Sequence, residues 1–208
     1  MDDVYVDIRN VTMSDLPGLY RVCLKTGDSG NDASGIYENP SLLGEIYVGP
    51  YVYFNSDSSF ALVDDAEIVG YSLSTLDTLK FQDSCASQWW PKIQSQYRDP
   101  NIDKRDSWTA DNHLEYEIFH PTPSPNEVLE KYPSHAHIDL LPHVQGKGWG
   151  KKMMNAIDDA LISLGSPGVH LRVSHVNYRA LGFYERLGYP EIARRGNEVI
   201  VEIGRAHV

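Results

Sequence analysis

Gln145-Gly146-Lys147-Gly148-Trp149-Gly150-Lys151-Lys152 is the stretch on which the reading of this sequence turns. It follows a short apolar run, 136–141, interrupted by His137 and Asp139. It leads into a pattern over 151–164 in which Met153, Met154, Ile157, Ala160, Leu161 and Leu164 recur at helical spacing. A strand, a glycine turn and a helix are therefore expected. The N–H groups that open a helix lack partners within it, and the helix dipole makes that end positive. Glycines there let the backbone approach an anion closely, so the turn can cradle a pyrophosphate. Lys147, Lys151 and Lys152 add positive charge at the same place.

Two nucleotide motifs do not fit this stretch. The P-loop, G-x-x-x-x-G-K-[ST], needs one more residue than Gly146 to Gly150 supplies, and Lys152 stands where the metal-binding hydroxyl belongs. The dinucleotide fingerprint G-x-G-x-x-G fails because Gly146, Gly148 and Gly150 are spaced two by two. A nucleotide-dependent phosphotransferase is disfavoured on both counts.

Working outward, a strand at 169–173 and a helix at 179–187 follow, with a last strand at 198–203. Upstream, Val4, Val6 and Ile8 alternate in a strand over 4–9. Thr12 or Ser14 can cap the helix carrying Leu16, Leu19, Tyr20, Cys23 and Leu24. The run 26–35, with three glycines and two aspartates, reads as loop. Strands are expected at 59–63 and 67–75. Residues 80–134 are too long for an unstructured loop in a compact domain and read as an insertion with one or two helices, for example 85–97 and 126–132. Pro121, Pro123 and Pro125 separate those two. The order predicts a mixed α/β (α+β) sheet flanked by helices, in one domain over 1–208.

The 208 residues carry 18 Lys and Arg against 29 Asp and Glu, a net charge of −11. So acidic a chain lacks the basic footprint that nucleic acid or an anionic membrane surface requires. No apolar run approaches the roughly 20 residues of a membrane span, and Met1-Asp2-Asp3 is acidic where a signal peptide is basic. A soluble, cytoplasmic protein is expected. Cys23 and Cys85 supply no disulfide framework and read as core positions.

Gln145-x-x-Gly148-x-Gly150, after a strand ending before Pro142, resembles the coenzyme A signature of the GNAT acetyltransferases. Asn177-Tyr-Arg-Ala180-Leu-Gly-Phe183-Tyr184-Glu-Arg-Leu-Gly-Tyr189 resembles the second signature of that family, at the expected distance downstream. Ile8-Arg9-x-x-Thr12-x-x-Asp15-x-x-x-Leu19 is similar to its opening. The segment from Leu73 through Asp77, Phe81, Cys85 and Trp89 to Pro91 resembles the acetyltransferase-like C-terminal domain of animal O-GlcNAcase and stand-alone microbial relatives. In the animal domain the glycine turn is poorly formed. Here it is intact, which implies cofactor binding.

The resemblance implies a GNAT fold with a helical insertion before the cofactor strand, acetyl-CoA as co-substrate, and N-acetyl transfer to a primary amine. The acceptor would be a small molecule or a peptide or protein lysine; the alternative is a non-catalytic acyl-CoA- or peptide-binding module. A homodimer is compatible with the family. Backbone groups of Leu140 and Leu141 would pair with the pantetheine arm like an added strand. Those of Gly146, Lys147, Gly148, Trp149, Gly150 and Lys151, with the Gln145 side chain, would hold the pyrophosphate. Asn177 would bond the arm, Ala180 and Phe183 would line it, and Tyr184 matches the general acid that protonates the departing thiolate.

An attacking amine must be neutral, and only about one alkylammonium in a thousand is so at pH 7. A base or an anchoring carboxylate is therefore needed. Strand alternation sets His137, Asp139 and Leu141 on one face, and Ala136, Ile138 and Leu140 on the other. Asp139, amid Ile138, Leu140 and Leu141, is the first candidate, with His135 and His137 behind it. A zinc site on His135, His137 and Asp139 is disfavoured, because the cofactor turn explains the strand. Asp28, Asp32, Asp77, Trp89 and Trp90, with His137, could wall an acidic, aromatic pocket for a cationic acceptor.

Overall fold

The computed structural model describes residues 6–123 and 126–203, so the expectations placed on Met1 to Asp3, Val4 and Pro125 lie outside the described residues. The chain opens with β1 (Val6–Asn10), a 3-10 turn (Met13–Asp15) and α1 (Leu16–Thr26). Then come α2 (Leu42–Tyr47), α3 (Gly49–Phe54), β2 (Phe60–Asp64) and β3 (Glu67–Thr75). The insertion holds α4 (Thr78–Ser84), a π turn (Cys85–Trp89), α5 (Trp90–Gln94), α6 (Ala110–Phe119) and α7 (Asn126–Leu129). Last are β4 (Ser134–Leu140), α8 (Trp149–Ser163), β5 (Val169–Ser174), α9 (Tyr178–Arg186), β6 (Glu191–Arg195) and β7 (Glu198–Ile203).

The strands form one seven-stranded sheet in the order β1-β2-β3-β4-β5-β7-β6. Every neighbouring pair is antiparallel except β4 and β5. The mixed sheet flanked by helices is the fold class expected. The helices depart from the reading above at several points. Helices α2 and α3 fall where no element was assigned. The expected helix at 85–97 begins at Thr78, because Asp77 accepts from the Lys80 N–H at 3.1 Å and opens α4 there. Helix α8 ends at Ser163, so Leu164 is half exposed instead of sharing the buried face of Met153, Met154, Ile157 and Leu161.

Helix α1 packs on β3 and β4, and α8 packs on β2, β3 and β4. The buried residues fall into two clusters. One gathers Leu19, Val22, Leu62, Tyr71, Leu73, Ile118 and Met153 around α1 to α6. The other gathers Met154, Ile157, Leu161, Leu171, Tyr184 and Val201 around β5, β7 and α9. Among the described residues no helix is long and apolar enough to cross a membrane.

Asp15 ties the entry of α1 to β1. Its carboxylate accepts from both terminal nitrogens of Arg9 at 2.7 Å, and from the Thr12 N–H and hydroxyl at 2.8 and 2.9 Å. The Arg9 guanidinium, ahead of the Thr12 donors and against the cost of burial, holds the Asp15 carboxyl down at about 2. That stabilisation is present above the ordinary carboxylate range and is lost as pH falls toward 2. Asp15→Asn should cost about 2 kcal/mol at pH 7 and shrink toward no cost in acid. Urea unfolding at the two pH values measures it, and an equal cost at both would contradict the assignment.

Candidate active site

Strands β4 and β5 pair over only three residues: Ser134 with Val169, His135 with His170, and Ala136 with Leu171. Beyond Ala136 both strands continue but separate, while β4 stays paired to β3 as far as Leu140 opposite Gly70. The result is a wedge, closed at one end and open at the other. Its closed end is held by the Ser134 N–H donating to the Gly168 carbonyl at 3.2 Å. The Ser134 and Ser166 hydroxyls, 2.7 Å apart, reinforce it.

In the open part, strand geometry decides which backbone groups are available. The Leu141 N–H donates to the Val69 carbonyl at 2.9 Å, on the β3 side. Alternation then turns the N–H and C=O of Leu140 and Ile138 toward the wedge. This corrects the expectation for Leu141, whose backbone is committed to β3 and whose side chain is buried. Ile138 takes its place beside Leu140. The Gln145 side chain also differs from expectation: its amide donates to the Leu140 carbonyl at 2.7 Å, bracing the turn against the strand.

The wedge opens into a cleft of ≈ 520 Å³. Ile138, Asp139 and Leu140 line one wall and Asn177, Ala180, Phe183 and Tyr184 the other. Gln145, Gly146, Gly148, Gly150 and Lys151 form the floor at the start of α8. Gly146 and Gly148 hold φ of +71° and +84°, and a Cβ at either would project into open space. Their backbone therefore faces the cleft bare, as an anion cradle requires. The first N–H that α8 satisfies itself is that of Lys152, bonded to the Gly148 carbonyl at 3.2 Å. A methyl on Gly150 would come within 3.0 Å of the Phe183 ring, so this glycine lets α9 approach α8. Lys147 is exposed, and Trp149 packs inward with the Lys152 ammonium 4.0 Å from its ring centre. Neither lines the cleft through its side chain.

Asn177 caps α9, its Oδ1 accepting from the Ala180 N–H at 3.1 Å. Arg179 reaches across to the Gly30 carbonyl, and the end of α1 and the loop after it bring Thr26 and Gly30 to the cleft mouth. Tyr184 is buried except toward this cleft. Burial, then the negative charge of Asp139, holds its phenol above the ordinary range, so it is protonated at neutral pH. Asp139 stands on the opposite wall. Its Oδ2 lies 2.6 Å from the Tyr71 hydroxyl and 2.9 Å from His137 Nε2. Tyr71 is a site residue the sequence reading passed over as strand core.

The proposed acceptor pocket does not form. Asp77 is spent capping α4, and exposed Asp28 sits in the loop after α1, bridged through its backbone to Asn31. Trp89 is buried against α2, its indole N–H donating to the Glu45 carbonyl at 2.8 Å, and Trp90 packs partly buried on the same core. Asp32 is tied to Lys25 at 2.7 Å. None of these lines the cleft beside Asp139 among the described residues. Of that set, His137 alone touches Asp139. Both ring nitrogens of His135 are engaged elsewhere, by Tyr51 and Thr78 at 2.7 Å.

Comparison with known proteins agrees with this geometry. A family model described as the acetyltransferase (GNAT) domain matches residues 121–191, which hold the wedge, the glycine turn and α9. The crystal structure of SsHAT is 30% identical over 95% of this chain and 96% of that one, with a TM-score of 0.85. The chain belongs to the GNAT acetyltransferases. Acetyl-CoA is the acyl donor of that family, and the bare glycine backbone at the start of α8, the open strand edge and the wall of α9 fit it. Protein O-GlcNAcase of Rattus norvegicus is 30% identical over 191 residues, or 90% of this chain. The GNAT chain spans about a fifth (20%) of the length of that curated relative. An N-acetyltransferase from Thermoplasma acidophilum, solved in complex with coenzyme A, shares the fold at a TM-score of 0.53 and 16% identity.

Proposed function

We propose that this GNAT protein moves the acetyl group of acetyl-CoA to a primary amine by direct attack. The acceptor is a small amine or a lysine of a peptide or protein. The observation that carries this reading is the pairing of Tyr184 and Asp139 across one cleft, a protonated phenol facing a carboxylate. Bound in the wedge, acetyl-CoA would supply a thioester whose acyl carbon is open to a nucleophile. Ile138 and Leu140 would bind the donor's arm by their outward backbone groups, and the start of α8 its phosphates. Asp139 would hold the acceptor ammonium and draw off its proton directly or through water. Tyr184 would give its proton to the sulfur as the carbon–sulfur bond breaks and the carbon–nitrogen bond forms.

The test is thiol release from acetyl-CoA across a panel of primary alkylamines, polyamines and lysine peptides, beside calorimetry with acetyl-CoA. Binding with amine-dependent release is expected. Binding without release across the panel would favour the non-catalytic acyl-CoA module instead. Absence of binding would overturn both.

A further inference from the structure

Tyr71 lies on β3 directly opposite Asp139 in the strand register, and its side chain is fully buried. Its hydroxyl donates to Asp139 Oδ2 at 2.6 Å. His137, two residues before Asp139 on the same face, places Nε2 2.9 Å from that same Oδ2 and 3.3 Å from the Tyr71 hydroxyl. The two rings stack with centres 5.7 Å apart at 26°. The Tyr71 donor and the His137 ring, meeting one oxygen from two directions, fix the carboxylate plane. Among the described residues Oδ1 has no protein donor, and Asp139 lines the cleft.

We propose that Tyr71, His137 and Asp139 form one subsite for the acceptor's ammonium: Tyr71 and His137 are positioning residues that hold Oδ2, Oδ1 receives the alkylammonium, and the charge on His137 sets how tightly it is held. The proposal rests on the amine-acetyltransferase reading. With His137 neutral, the subsite carries the full carboxylate charge. With His137 protonated, the imidazolium neutralises Asp139 and repels a second cation. Like charges beside one carboxylate compete for it, so ammonium binding and His137 protonation oppose each other.

The surroundings leave this competition between few groups. On β4, His135 is half-buried and held neutral, its pKa lowered to about 3 by desolvation and then by neighbouring His170 and Arg172. From β3, Tyr71 is held far above its ordinary range by burial and the Asp139 charge, so it remains a donor. From α1, burial pushes the Cys23 thiol that meets Tyr71 up to about 12. From α9, Tyr184 is likewise protonated. For His137 itself burial works against protonation, but the charge and hydrogen bond of Asp139 outweigh it and raise its pKa above 6.5. The acceptor is thus held more weakly as pH falls through that raised value.

The experiment follows the His137 imidazole by NMR through a pH titration of the whole chain, with and without n-butylammonium chloride, using sodium chloride at equal ionic strength as control. Butylammonium should lower the His137 midpoint by about half a pH unit or more, saturably. Asp139→Asn should abolish both the raised midpoint and the ammonium effect. Tyr71→Phe, which keeps the ring, should weaken butylammonium binding about tenfold. His137→Gln keeps a neutral donor and should make that binding independent of pH. A merely structural trio would leave the His137 midpoint indifferent to butylammonium, and that result overturns the subsite. Amine-dependent thiol release with an indifferent His137 sinks the subsite alone. An ammonium-dependent midpoint without thiol release sinks the transferase reading alone.

Discussion

Tyr184→Phe should lower amine-dependent thiol release by at least about 100-fold while leaving acetyl-CoA affinity unchanged. The ring would stay where it is. Tyr184 is 6% exposed, with its ring centre 5.4 Å from Phe183 and 6.4 Å from Tyr189, and Phe preserves that packing. What disappears is one O–H at the cleft. Burial and the facing Asp139 keep that O–H protonated past the ordinary tyrosine range. The wild-type rate should therefore show no alkaline fall from this group below about pH 10. Without it, the departing sulfur must take its proton from water. Initial rates at saturating amine, with acetyl-CoA binding measured by calorimetry, separate chemistry from binding. Unchanged turnover in the variant would remove Tyr184 from the reaction.

Gly168→Ala should destabilise the protein by about 3 kcal/mol, lowering its melting temperature by roughly 6–12 °C. A Cβ at this position would lie 2.4 Å from the Lys131 carbonyl oxygen and 2.9 Å from the Tyr132 ring. The first obstacle is backbone, which cannot swing aside as a flexible side chain does. The Gly168 carbonyl also accepts the Ser134 N–H, so the displaced strand is the one that closes the wedge. Loss of acetyl-CoA affinity should accompany the loss of stability, since the angle between β4 and β5 is set here. A variant that melts with the wild type would show that the chain relieves this contact elsewhere.

The donor half of the site was legible in the sequence because its constraints are local. Gly146 and Gly148 are glycines since their φ is positive, and Asn177 can cap α9 since it stands three residues before Ala180. The acceptor half was not. Tyr71 meets Asp139 only through the β3–β4 register, across 68 residues of sequence, and alone it reads as strand core. Trp89 looked available for a ligand until α2 and α3 covered it. Those two helices of six residues each contain glycine, and their glycines are needed for packing: Gly44 lies against Tyr20, and Gly49 against Trp89. Propensity argues against both helices, and only the tertiary contacts explain them. Asp77 did carry a local signal, a helix cap three residues before Lys80, but its charge drew it into the acceptor pocket instead. Strand β6 has an exposed, charged edge, and its pairing with β7 is a backbone matter that side chains hardly announce.

The divided core has a thermodynamic consequence. Its two apolar clusters meet along α8, with Met153 in one and Met154, Ile157 and Leu161 in the other, and along the three residue pairs that join β4 to β5. So narrow a seam permits the half built on β5, β7 and α9 to open while the half built on α1 to α6 stays folded. A donor lying in the wedge touches both halves and resists that opening. At a hundred times its dissociation constant it adds about 2.7 kcal/mol to the closed state. The substrate is thereby a temporary structural member, and the protein is most cooperative when it is working.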